Sequence, residues 1–173
     1  ELTGQDILVP GDPSSAAFPM VAGIITEGSR VEIKNVGINP LRFGLFEILN
    51  EMGAKTELIL KHDGVGEPIA DIVVETSELK GVTVPASIAP RMIDEYPILS
   101  VVAAFAKGKT MMRDVHELRV KESDRIDAMA KGLKSNGLKI EEGEDWWSVE
   151  GREIDGVIGG GLCETFLDHR IAM

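Results

Sequence analysis

The stretch Val9-Pro10-Gly11-Asp12-Pro13-Ser14-Ser15-Ala16-Ala17-Phe18 reads as a strand end, a turn and a helix start in immediate succession. The apolar run Ile7-Leu8-Val9 closes in Pro10-Gly11, and Asp12 stands where an N-cap belongs. Pro13 follows at the first helical position, where a missing N–H does no harm. The Ala-rich apolar segment behind it runs to Ile25, stops before Gly28, and gives way to the strand-like Val31-Glu32-Ile33. The same order returns roughly 80 residues later, the mark of an internal repeat. There Gly81-Val82-Thr83-Val84-Pro85 closes in proline, and Asp94-Glu95-Tyr96-Pro97 opens an apolar segment to Ala106. Gly108 ends that segment and Met111-Met112-Arg113 follows.

Each copy continues in the same way. Leu45, Ile48, Leu49 and Met52 keep helical spacing and stop at Gly53; Ile126, Met129, Ala130 and Leu133 do so and stop at Gly137. Two strand-like pieces close each copy, Thr56–Leu60 with Ile69–Val74 and Leu138–Glu141 with Trp146–Val149. The pattern predicts an α/β fold of repeated βαβαββ units, the first over about 7–75 and the second over about 81–150. A third unit is expected to start over about 154–173, where Leu167-Asp168-His169-Arg170-Ile171-Ala172-Met173 reads as its helix start. Such units seldom bury their apolar faces alone. Residues 1–173 are therefore expected to form a single partial domain, cut from a longer protein.

Composition narrows the function classes. The 173 residues, 43% hydrophobic and 27% charged, suit a globular protein. No apolar run has the length of about 20 residues that a membrane span needs. A lone cysteine, Cys163, and the lack of a secretory leader fit a reducing, cytoplasmic setting. With 29 acidic against 18 basic residues and a net charge of −11, a nucleic-acid or anionic-membrane surface is not expected. Small anionic ligands remain compatible, because a pocket needs only a local group of donors.

One such group is Arg119-Val120-Lys121-Glu122-Ser123-Asp124-Arg125. It can be read as a solvated helix start, with Ser123 or Asp124 as the cap and the cations in water. It can also be read as a site. Lys121 and Arg125 are four apart and would project together from a helix, beside N–H groups that favour anions. Glu122 between them would lie close to a bound anion and could exchange a proton with it.

Four motifs in order, VPGDPSSAAF, MIDEYPIL, RVKESDRI and LDHRIAM, closely resemble the 5-enolpyruvylshikimate-3-phosphate (EPSP) synthase family of bacterial type. The resemblance runs from about Leu8 to Met173 and implies the C-terminal half of an inside-out α/β enzyme. It implies transfer of the enolpyruvyl group of phosphoenolpyruvate to the 5-hydroxyl of shikimate 3-phosphate, in the shikimate route to aromatic amino acids and chorismate. No metal or organic cofactor is implied, and the partner would be the N-terminal domain of the same enzyme. By motif position, Asp94 would contact the shikimate hydroxyls and act as a base. Lys121 would touch shikimate 3-phosphate and serve in acid–base steps, and Glu122 would exchange a proton with the methylene carbon. Arg125 and Arg170 would hold phosphoenolpyruvate. Two alternatives stand beside this, a UDP-N-acetylglucosamine enolpyruvyl transferase and a non-catalytic anion-binding module.

Other residues carry less. Asp94 and Asp168 both sit where N-caps sit, and Ser14-Ser15 read as capping residues before a phosphate site. His169 beside Arg170 is open between a ligand contact and a structural role. His62 and His116 lack partners at metal spacing. Trp146-Trp147 reads as a strand with one packed ring, and Gly159-Gly160-Gly161 as a connection, since no strand and helix flank it as a dinucleotide loop requires.

Overall fold

A computed structural model of the chain describes residues 3, 4, 6, 8–62, 66–151 and 159–173. Helix α1 (Pro13–Ile25) starts at the cap that the sequence marks, with Asp12 accepting hydrogen bonds from Ser15 N at 2.8 Å and Ser15 Oγ at 2.9 Å. The cap is thus Asp12 and not Ser14 or Ser15. Then come β1 (Arg30–Gly37), α2 (Gly44–Glu51), β2 (Lys55–His62) and β3 (Ile69–Glu75). The second copy repeats the order as α3 (Tyr96–Phe105), β4 (Lys109–Met112), α4 (Arg125–Ser135), β5 (Lys139–Glu142) and β6 (Trp147–Glu150). A short α5 (His169–Ala172) follows Asp168. The beginnings of units one and three, at residues 7 and 154, lie outside the described residues.

Both sheets are antiparallel and share one topology, β1-β3-β2 and β4-β6-β5, with the last strand of each copy in the middle. The strand expected to lead each copy is reduced to isolated parallel bridges, Gly11 with Val36 and Thr83 with Met111. Met111 N donates to Val82 O at 2.9 Å and Val84 N to Met111 O at 2.8 Å, and beyond Pro85 the chain turns into a 3₁₀ segment, Ala86–Arg91, which ends the pairing. Among the described residues the second unit is therefore αβαββ with a bridged lead-in, and the first shows the same order from α1 onward.

Burial follows sequence pattern. Helix α3 is apolar on nearly every side and packs against α1, α4, α5 and β6. Helix α4 turns Ile126, Met129, Ala130 and Leu133 inward and leaves Lys131 exposed. Gly23 lets α1 lie close on its sheet, since a Cβ there would meet Val74 Cγ2 at 2.8 Å and Val31 Cγ2 at 2.9 Å. Trp147 is buried, donates from Nε1 to Ser100 Oγ at 3.0 Å and meets Tyr96 edge-on, while Trp146 is half-buried. The starts of α3, α4 and α5 are linked through Asp94, Arg125 and Asp168, and these contacts build the site.

Candidate active site

The segment from Arg119 to Arg125 does not form one continuous helix. A 3₁₀ turn covers His116–Val120, Lys121 is extended (φ −78°, ψ −156°), and α4 starts only at Arg125, with Asp124 accepting from Asp127 N at 3.0 Å as its cap. Lys121 and Arg125 are thus not one helical turn apart, contrary to what their spacing suggests. Arg119, the first cation of the run, points the other way. It donates to Glu144 O at 2.6 Å, to Gly143 O and to Asp124 Oδ2 at 2.8 Å. It pins the segment to the β5–β6 turn and holds the capping carboxylate.

Arg125 is not solvated. Its side chain is 1% exposed and faces three carboxylates. Nε donates to Asp168 Oδ2 at 2.8 Å, Nη2 lies 3.3 Å from Asp168 Oδ1, Nη1 donates to Asp94 Oδ1 at 2.9 Å, and Nη2 to Glu122 Oε2 at 2.6 Å. Burial alone would lower its pKa; the hydrogen bonds and charge of Asp168, with those of Asp94 and Glu122, outweigh burial and raise it. Asp168 answers in kind. Burial pushes its carboxyl up, but Arg125, the Arg170 N–H and the Ser123 hydroxyl together hold it below the usual aspartate value.

Asp168 does cap α5, accepting from Arg170 N at 2.9 Å, and also accepts from Ser123 Oγ at 2.9 Å. Its ion pair with Arg125 had no signal in the sequence, because the two lie in different repeats. Asp94 does not cap α3. It sits in the 3₁₀ turn Ile93–Glu95, and no side chain caps the helix that follows. Freed from capping, its Oδ1 takes Arg125 and lies 3.8 Å from Lys121 Nζ, whose nearer partner is Glu117 at 2.5 Å. Glu117 is a further contact that sequence reasoning missed, although it stands four residues before Lys121.

The structure therefore joins Asp94, Lys121, Glu122 and Arg125 in one cluster. Arg170 reaches it through its backbone N–H on Asp168, and its Nη1 lies 3.9 Å from Glu95 Oε1. His169 stays exposed, with Nδ1 3.9 Å from Asp168 Oδ1. The three carboxylates on Arg125 differ in freedom. Asp168 is 0% exposed, but Asp94 and Glu122 are 39% and 55% exposed and can turn away. An incoming anion can take their places on the guanidinium, which releases two carboxylates for proton transfer at the same spot. Among the described residues no group of His, Cys, Asp and Glu is arranged to hold a metal ion. His116 is exposed, and the His62 side chain lies outside the described residues. Gly159 and Gly160 take positive φ (115° and 84°) in a connecting segment, with Gly161 N donating to Asn136 Oδ1 at 3.1 Å.

The family model described as EPSP synthase (3-phosphoshikimate 1-carboxyvinyltransferase) matches residues 1–173. The chain belongs to the EPSP synthase family. A 3-phosphoshikimate 1-carboxyvinyltransferase of Ruegeria sp. (strain TM1040) is 60% identical over 174 residues, covering 100% of this chain and 39% of the relative. That of Jannaschia sp. (strain CCS1) is 59% identical with the same coverage. Among solved structures, the EPSP synthase of Acinetobacter baumannii superposes with a TM-score of 0.94 at 46% identity, over 99% of this chain and 40% of that one. The enolpyruvyl transferase NikO of Streptomyces tendae, at 20% identity and a TM-score of 0.57, shares the fold. The chain thus has the α/β architecture of EPSP synthase and spans about 39% of the length of the curated relatives it matches. No helix among its described residues is long and apolar enough to cross a membrane.

Proposed function

We propose that the protein containing this chain transfers the enolpyruvyl group of phosphoenolpyruvate to the 5-hydroxyl of shikimate 3-phosphate and releases phosphate, and that this chain is a partial C-terminal domain supplying one wall of the site. The observation that carries the reading is a single buried guanidinium, Arg125, holding Asp94 at 2.9 Å and Glu122 at 2.6 Å. Two carboxylates joined at one anion-binding group are what the reaction needs. Arg125 and Arg170 bind phosphoenolpyruvate, and Lys121 with Asp94 binds the shikimate ester. Glu122 gives a proton to the methylene carbon, and the adjacent carbon takes on oxocarbenium character. Asp94 accepts the proton of the 5-hydroxyl as its oxygen bonds to that carbon. In the second half the methyl group returns a proton to Glu122, the alkene re-forms, and the carbon–oxygen bond to phosphate breaks as the departing phosphate takes up the proton held by Asp94. Lys121 stabilises the charge gathering on the departing groups.

This scheme uses no metal and no organic cofactor. The remaining wall comes from the N-terminal domain of the same enzyme, and the setting is cytoplasmic, with no nucleic-acid or membrane partner. The test is phosphate release by the full-length protein from phosphoenolpyruvate with shikimate 3-phosphate, run beside UDP-N-acetylglucosamine as acceptor. Release with the shikimate ester alone is the expected result. Release with the nucleotide sugar alone would reassign the acceptor, and a folded protein inactive with both would leave a non-catalytic anion-binding module.

A further inference from the structure

Glu95 has no part in the scheme above, yet no carboxylate in the cluster is worse matched to its surroundings. Its side chain is 8% exposed, and its Oε1 is one of three buried side-chain polar atoms among the described residues that receive no hydrogen bond. The other two, Tyr96 OH and Thr110 Oγ1, are neutral hydroxyls. A buried carboxylate oxygen without a partner is far harder to tolerate, and its persistence beside a binding site calls for a functional reason.

The groups facing it are few. From α1, the Ser14 hydroxyl faces the carboxylate and favours its charged form, and Asp94 adds repulsion from the same 3₁₀ turn. Arg42 is near, but its guanidinium is held by Asp12 Oδ1 at 2.9 Å and Ser14 Oγ at 3.2 Å. From α5 comes Arg170, 13% exposed, its Nη1 at 3.9 Å from the orphan oxygen. Of the two cations, Arg170 is the one not already fastened to another carboxylate oxygen by a side-chain hydrogen bond among the described residues.

We propose that Glu95 is a positioning residue for Arg170, holding one edge of its guanidinium from the buried side so that its remaining donors face the anion shared with Arg125. The pairing mirrors that of Asp168 beneath Arg125 and rests on the reading of this site as the phosphoenolpyruvate site. It also gives the position a pH dependence. Burial, opposed by Ser14 and Arg170, pushes the Glu95 carboxyl above the usual glutamate value. The ionised form is the one that grips Arg170, so the grip weakens as pH falls through that raised value.

The experiment is steady-state kinetics of the full-length enzyme and its Glu95→Gln variant between about pH 5 and 9. The expected outcome for Glu95→Gln is a KM for phosphoenolpyruvate raised by about tenfold or more, with kcat and the KM for shikimate 3-phosphate little changed. The unsubstituted enzyme should lose affinity for phosphoenolpyruvate toward acid pH, and the variant should keep only the part of that dependence due to the ligand's own phosphate, which titrates at about pH 6. Glu95→Asp, which keeps the charge but withdraws it by one methylene, should fall between the two and serves if Glu95→Gln does not fold. The Gln variant should melt no lower than the parent at neutral pH, because it removes a poorly solvated charge; a purely structural role for Glu95 would give the reverse. An unchanged KM for phosphoenolpyruvate, or an acid-side dependence as steep in Glu95→Gln as in the parent, would overturn the proposal. A parent enzyme inactive with every acceptor would instead sink the proposed function. Calorimetric binding of inorganic phosphate would then decide on Glu95, and equal affinity of parent and variant would count against it.

Discussion

Arg125 is a cation in the core of a chain whose net charge is −11, and it stays charged because its donors are matched one by one to carboxylate oxygens. Removing a partner from such a group leaves an uncompensated charge in a place water does not reach. Asp168→Ala should therefore lower unfolding stability by about 3 kcal/mol, measured by urea denaturation of the full-length enzyme. A change under about 0.5 kcal/mol would mean that Asp94 and Glu122 take over the pairing. The same carboxyl sets a pH signature. Its folded-state pKa is depressed, so its contribution is complete above the ordinary aspartate value and is lost as pH falls through the depressed one. The acid limb of the stability curve should accordingly be shallower in Asp168→Ala than in the parent. Glu122 predicts a kinetic effect instead, because it is half-exposed and packs against little. Glu122→Gln should lower kcat by roughly 10²–10⁴-fold with substrate KM values nearly unchanged. A normal kcat would remove Glu122 from the proton transfers.

At the level of elements, the two copies close in the same way, and the second depends on a backbone contact that no side chain can share. A Cβ on Gly151 would sit 1.9 Å from Ala106 O and 2.5 Å from Ala103 O, where β6 ends against the last turn of α3. Gly151→Ala should destabilise by about 3 kcal/mol through forced displacement of that turn, and a melting temperature equal to the parent's would contradict the packing described. Much of this architecture was legible in sequence. Asp12-Pro13, the spacing of Ile126, Met129, Ala130 and Leu133, and the closing glycines Gly53 and Gly137 are local signals, and local signals give elements. The lead-in of the second copy was not legible as a bridge, since Gly81–Pro85 has strand composition and it is the turn into Ala86–Arg91 that curtails it. Spacing alone puts Lys121 on one helical face with Arg125, but the cap at Asp124, which the sequence offers beside Ser123, leaves Lys121 outside the helix. Asp94 looked like a cap by position, and the 3₁₀ turn set it free. Of the site, residue types were readable, but partnerships were not. Arg125 with Asp168, and Glu95 with Arg170, join residues from different repeats, and nothing local in either sequence segment announces the other.

On the scale of the molecule, an acidic chain concentrates cations where helix starts from successive repeats meet. Lys121, Arg125 and Arg170 supply the positive side of the cluster, and Asp94, Glu95, Glu122 and Asp168 oppose them. Carboxylates so numerous make the wall unattractive to an anion until cations from elsewhere join it. The reacting groups are also open to water here, with Asp94 and Glu122 both well exposed, so water screens the charges that the transition state needs strengthened. This chain covers about 39% of the length of its curated relatives, and the rest of the enzyme would supply both the missing cations and the exclusion of solvent. The 173-residue chain alone should therefore show no phosphate release from phosphoenolpyruvate and shikimate 3-phosphate, and should bind either one only weakly, with Kd on the order of millimolar or above. Calorimetry on the purified chain, after circular dichroism has shown it folded, is the check. Turnover by the chain alone, or micromolar affinity for phosphoenolpyruvate, would show that this wall is sufficient and that the opposing domain does something other than complete the site.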